Sequence, residues 1–149
     1  MYQRILSEIA IQAKFYGLEM QPPCLSDQLQ KLINRAKKEL QVDIPKEYAH
    51  FLQLHNGFDW NGLTIYATEK VAIVGYIDRF ISGCVEANLI RRNYTKWKQF
   101  LIFGETGDED YCLDIPTLQY VIVDSVSTDI LEAFSSFDEL VAEALRRRI

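Results

Sequence analysis

One stretch, residues 100–124, constrains the fold more than any other. It holds three β-rich runs, 100–103, 111–115 and 120–124, separated by a loop over 104–110 and a Pro116-Thr117 turn. Connections this short join antiparallel neighbours, because a parallel crossover needs about a dozen residues or more. The run Tyr120-Val121-Ile122-Val123 is apolar without alternation, which predicts a central strand covered on both faces. Ile130–Phe134 can add an edge strand. Helical patterns precede and follow these strands. The sequence therefore predicts an α+β domain with a mainly antiparallel sheet of about five or six strands and helices packed on it.

Tyr2, Ile5, Leu6, Ile9, Ala13 and Tyr16 recur at helical spacing, and Gly17 stops that helix. Pro22-Pro23 makes a connector. Ser26 is expected to cap the next helix, which buries Leu29, Leu32, Ile33, Ala36 and Leu40 and exposes Lys31, Arg35, Lys37 and Lys38. Ile44-Pro45 opens a third helix with proline at its first position, and Asn56-Gly57 supplies a left-handed stop. Tyr48, Phe51, Leu52 and His55 share its inner face. Residues 63–66 and 71–77 read as strands, and 82–93 as a helix presenting Val85, Leu89 and Arg92 on one side. Ser136 with Glu139 forms a capping box before a last helix whose stripe is Phe137, Leu140, Val141, Ala144 and Leu145.

The 149 residues, 48% of them hydrophobic, fill one core and are too few for two ordinary domains, so 1–149 is taken as one domain. The net charge of -5 opposes nucleic acid and anionic membrane and suits a basic protein partner. Cys24, Cys84 and Cys112 are odd in number and lack CxxC spacing, which argues against a disulfide framework or thiolate zinc site and fits a reducing cytoplasm. No signal peptide or membrane anchor is visible in the sequence.

Few residues invite a chemical reading. His50 and His55 are five apart, Cys112 has no associated base, and the serines lack a GxSxG elbow, so no catalytic residue, metal site or cofactor is assigned. Glu105, Asp108, Glu109 and Asp110 crowd the 104–110 loop. Three readings compete there, in this order: a solvated hairpin loop, an acidic partner-contact patch, and a metal site. Exposed carboxylates of this kind should tolerate reversal to lysine without unfolding. Asp59 and Trp60 lie on a loop after Gly57, where the Trp is a core plug or an interface anchor. The basic stretch from Arg91 to Lys98, interleaved with Tyr94 and Trp97, reads as a helix end followed by a polar loop rather than a nucleic-acid groove.

The segment Ile44-Pro45-Lys46-Glu47-Tyr48-Ala49-His50-Phe51-Leu52-Gln53-Leu54-His55-Asn56-Gly57 resembles the opening signature of SUKH domains, the superfamily of the yeast Smi/Knr cell-wall regulators. Phe100-Leu101-Ile102-Phe103-Gly104, Tyr111-Cys112-Leu113-Asp114, Tyr120-Val121-Ile122-Val123 and Ser135-Ser136-Phe137-Asp138-Glu139-Leu140 follow in the family's order. The resemblance covers residues 42–145, with 1–41 as a helical extension, and the whole chain is similar to bacterial YrhA-like proteins. Within it Pro45, Tyr48, Phe51, Leu52, Asn56 and Gly57 are structural residues. The resemblance implies a non-catalytic binding module that needs no cofactor. Bacterial members are commonly immunity proteins against polymorphic toxins, and fungal members are regulatory scaffolds. The expected partner is a basic toxin domain, met through Asp59, Trp60 and the acidic loop.

Overall fold

In the computed structural model, which describes residues 1–149, helices α1 (Tyr2–Phe15), α2 (Ser26–Arg35) and α3 (Lys46–Leu54) come first. Strands β1 (Phe58–Trp60), β2 (Leu63–Ile65), β3 (Val71–Ala72) and β4 (Phe80–Ile81) follow, then α4 (Cys84–Arg91). Strands β5 (Phe100–Glu105), β6 (Glu109–Asp114), β7 (Gln119–Asp124) and β8 (Ile130–Phe134) precede the last helix, α5 (Phe137–Arg146). One antiparallel sheet of six strands runs β1-β2-β5-β6-β7-β8, and β3-β4 forms a separate two-stranded sheet. The expected meander is β5 to β8. Its run Val121-Ile122-Val123 is buried on both faces, yet β7 stands next to the edge strand β8, and β5 and β6 hold the middle.

Strand register sorts the side chains onto two faces. Tyr111 pairs with Ile122 and Leu113 with Tyr120, whereas Asp110 pairs with Val123 and Cys112 with Val121. Side chains alternate along a strand, so these are opposite faces. On the first face Phe137 of α5 is ringed by Tyr2, Tyr48, Phe51, Phe103 and Tyr120, with centroids 5.2 to 6.4 Å away. On the second face lies α4. Its Asn88 amide accepts from Ile102 N–H at 2.8 Å and donates to Ile102 C=O at 2.9 Å, satisfying backbone beside a register shift in β5. Arg35 bonds both Glu39 and Glu86 at 2.6 Å, tying α2 to α4.

Several local readings are corrected. Leu25 rather than Ser26 is the cap of α2, and its N–H is satisfied by the Gln28 side chain at 2.8 Å. Pro45 sits at the cap of α3, with ψ 140°, and its carbonyl accepts the first helical bond from Ala49. The helix ends not at Gly57 but at an extended His55. Gly57 has φ +93°, and a Cβ there would come within 3.0 Å of Ile81 and 3.1 Å of Ala67. Glycine is thus required where the chain presses on the small β3-β4 sheet. Asn56 is buried and exchanges two bonds with Thr68, at 2.9 and 3.1 Å.

The 71–77 strand shrinks to Val71–Ala72, and Ile77 is 98% exposed. That run has few partners, since the small sheet has its own core of Ala67, Ile73 and Ile81. Helix α4 buries Cys84, Val85 and Asn88 and leaves Leu89 exposed, one step round from the expected face. Trp60 is on a strand, not a loop: Asn61 and Gly62 have φ 46° and 83° between the paired Trp60 and Leu63. Two left-handed residues make the hairpin turn that matches strand twist. At α5 the expected cap forms, with Ser136 accepting from Glu139 N–H at 3.1 Å, while the Glu139 carboxylate bonds Ser135.

Candidate partner-binding surfaces

The acidic segment is not one solvated loop. Strands β5 and β6 extend into it and leave only Thr106-Gly107-Asp108 as the turn. Asp110 lies on the α4 face and is 0% exposed. Arg91 donates to its two oxygens at 2.6 and 3.0 Å and to Glu105 at 3.3 Å, and Tyr66 donates its hydroxyl to the same Glu105 oxygen. The Arg91 guanidinium also lies over the Trp97 ring at 4.6 Å. Burial pushes the Asp110 carboxyl above its ordinary range, which Arg91 partly offsets, and burial with Glu105 pushes the Tyr66 phenol up. Arg91 and Trp97, read as part of a helix end and polar loop, turn inward to build this network.

The expectation that Asp108, Glu109 and Asp110 could all be reversed to lysine without unfolding is therefore overturned. Asp110 neutralises a half-buried guanidinium, and removing one partner of such a pair leaves an uncompensated charge. Asp108 is exposed. Glu109 is half-buried and bonds Arg147 at 3.2 Å. Alternation along β6 explains why neighbours in sequence have unlike fates.

What remains at this end of the sheet is an acidic side built from two turns. Ser125 N–H donates to Asp108 C=O at 2.9 Å, joining the β5–β6 turn to the β7–β8 turn. Asp124 stands opposite Glu109 in the register, and its N–H bonds Asp129 C=O at 2.9 Å. Glu132 on β8 meets Arg147 at 2.6 Å. Asp108, Glu109, Asp124, Asp129 and Glu132 thus lie on these two turns and the strands that flank them; Arg147 meets Glu109 and Glu132, and Lys96 reaches the Val126 carbonyl. The N–H groups of Ser127 and Val126 hold the Asp124 carboxyl below its ordinary range. Sequence reasoning found Asp108 and Glu109 here and missed Asp124, Asp129 and Glu132, which only strand pairing brings alongside.

Asp59 and Trp60 belong elsewhere, at the opposite edge of the sheet. Trp60 is half-buried: it packs against the core and lines a cleft of about 220 Å³ with Leu18, Met20, Ile73 and Tyr76. Its indole N–H and the Asn61 amide both donate to the Arg148 carbonyl, at 3.3 and 2.9 Å. Asp59 bonds Arg79 and Thr64, each at 3.2 Å, and Arg79 lies over the Tyr76 ring. Trp60 is both plug and wall, and Asp59 is paired rather than free. The structure does not bring these two residues together with the acidic side.

Neither buried cysteine is poised for chemistry, because burial pushes the Cys84 thiol up to about 12 and raises Cys112 as well. His55 Nδ1 lies 2.7 Å from the Gln21 carbonyl. No helix is long and apolar enough to cross a membrane.

A family model described as SMI1 / KNR4 family (SUKH-1) matches residues 29–143. The chain belongs to this family. A comparison with curated proteins finds no match. The SUKH-1 match runs from within α2 into α5, so it contains the whole six-stranded sheet, the Arg91–Asp110 network and the acidic side. The wall of the Trp60 cleft formed by Ala13 of α1 and by Leu18 just after that helix precedes the matched region. The carboxylates of the acidic side thus lie within the matched region, whereas Arg147, which meets two of them, follows it and the cleft is shared with the N-terminal extension.

Proposed function

We propose that this SUKH-1 protein is a non-catalytic binding module that captures and neutralises a basic bacterial toxin domain in the cytoplasm. Membership of the family is consistent with immunity and with regulatory roles. The observation that favours a basic partner is the acidic side, where the five carboxylates of Asp108, Glu109, Asp124, Asp129 and Glu132 outnumber the cations beside them, Arg147 on Glu109 and Glu132 and Lys96 at the Val126 carbonyl. An excess of carboxylates on one side steers a cationic partner and speeds its association. Many toxins that act on nucleic acids present basic active sites, and such a surface would occlude one.

The second reading is a regulatory scaffold, which must hold more than one partner. It is favoured by the Trp60 cleft, a concave surface at the other edge of the sheet from the acidic side. The test is to co-express the chain with the product of the adjacent toxin-like reading frame and to measure association across a salt series. Immunity predicts rescued growth and a rate that falls with ionic strength. Charge reversal at the exposed Asp108, Asp129 and Glu132 should weaken rescue while the melting temperature holds. Rescue unchanged by that reversal would remove the acidic side from the interface. No rescue and no binding would favour the scaffold.

A further inference from the structure

The two edges of the sheet are finished differently. β1 has three residues, leads directly into the Asn61-Gly62 turn, and shares a small cavity at Phe58 and Asp59 with Met20, Gln21 and Ile73. β8 has five residues and pairs with β7 alone. Ile130 and Leu131 are 48% and 50% exposed, and Ala133 is exposed too. An edge strand displays unpaired N–H and C=O groups, and proteins ordinarily blunt it with lysine, proline or a covering element. Ile130-Leu131-Glu132-Ala133-Phe134 contains neither lysine nor proline, although its pairing with β7 bulges at Leu131, and Glu132 to Phe134 form the regular part of the edge.

Charge decides what can pair there. Asp129 immediately precedes β8, Glu132 lies in its middle, and Asp124 and Glu109 stand on the next two strands. A second copy of this chain fits poorly. Two β8 strands paired about a two-fold axis would set Asp129 and Glu132 of one copy beside those of the other, and like charges facing across strands destabilise pairing. We propose that the β8 edge accepts an extended basic segment of the partner, which adds to the sheet as a further strand. Main-chain bonds to β8 hold it, Ile130, Leu131 and Ala133 receive its apolar side chains, and Asp129, together with Glu132 shared with Arg147, takes its Lys or Arg. The proposal rests on the reading of a basic partner, and it adds the mode of capture.

The probe is a synthetic peptide of alternating valine and lysine, followed by amide NMR and hydrogen exchange on the full chain, with a valine–glutamate peptide as control. The expected result is that the lysine peptide shifts and protects the amides of Ile130–Phe134 while the glutamate peptide does not. Glu132→Lys, at an exposed position, should weaken the peptide about tenfold with the fold intact. Shifts centred on Trp60, or spread over the carboxylates without protection of β8, would overturn the proposal. So would concentration-dependent dimerisation that protects β8 without peptide, since the occupant would then be a second copy. A toxin that binds while leaving β8 unprotected sinks strand addition and spares the immunity reading. A chain that rescues no toxin but protects β8 with the lysine peptide does the reverse.

Discussion

The two faces of the sheet are held by different physics. The face under α5 is an aromatic cluster around Phe137, where rings meet tilted or edge-on and only the Tyr48 hydroxyl reaches a partner, Tyr66 C=O at 2.7 Å. The face under α4 is threaded by directional groups: Asn88 on the Ile102 backbone, and Arg91 between Asp110 and Glu105. Apolar burial is roughly proportional to area and tolerates small shifts, whereas a buried pair must be matched atom to atom. The aromatic face supplies bulk stability. The polar face sets register and decides which carboxylates are left for a partner.

That contrast can be broken by substitution. Phe51→Ala, at a fully buried site, should cost about 3 to 5 kcal/mol by denaturant unfolding, and a loss below about 1 would contradict the aromatic core. Asp110→Ala should cost about 3 kcal/mol, because it leaves Arg91 beside Trp97 with only its longer bond to Glu105. If Asp110→Ala unfolds at the wild-type denaturant midpoint, the polar face contributes nothing. Asn88→Ala leaves the Ile102 backbone groups unpaired and should cost about 2 kcal/mol, with exchange of the Ile102 amide as the specific readout. Asp108→Lys, two residues from Asp110 but exposed, should change stability by less than about 0.5 kcal/mol.

Carboxyl titration by NMR sharpens the same contrast. Asp124, held low by backbone N–H groups, should titrate below the ordinary aspartate value of about 3.9. Its contribution to stability is then present above that value and lost as the pH falls through its lower folded one. Asp110, raised by burial, has the opposite sign: its contribution is present at low pH and lost as the pH rises through its raised value. Both groups titrating together would mean that Asp110 is not buried as described.

Much of the sheet was legible because its signals are local. Short turns forced the meander, and unbroken apolar runs marked strands buried on both faces. The β1–β2 hairpin carries a local signal too, Asn61-Gly62 between β-forming residues, but it was missed, because Asp59 and Trp60 were read as loop. Period-two alternation would have placed Asp110 with Cys112 had β6 been started at Glu109 rather than Tyr111. The amide clamps were not legible. Gln21 donates to Ala72 C=O and accepts from Val74 N–H, and Asn56 holds Thr68, through partners far along the chain. An Asn or Gln that satisfies remote backbone has the same local pattern as one exposed to water.

By itself, the sequence determined the helices, the antiparallel meander of β5 to β8, most of the apolar stripes of α1, α2, α3 and α5, Tyr16 excepted, and the motif order that places the chain in its family. These follow from backbone geometry and periodicity within a few residues. Tertiary structure alone decided that Asp110 pairs inward with Arg91 while Asp108 faces solvent, and that Asp124, Asp129 and Glu132 join Glu109 on one side. It also decided that β8 is left as an open edge. The fate of a charge depends on which element covers its face, and that element arrives from a distant part of the chain.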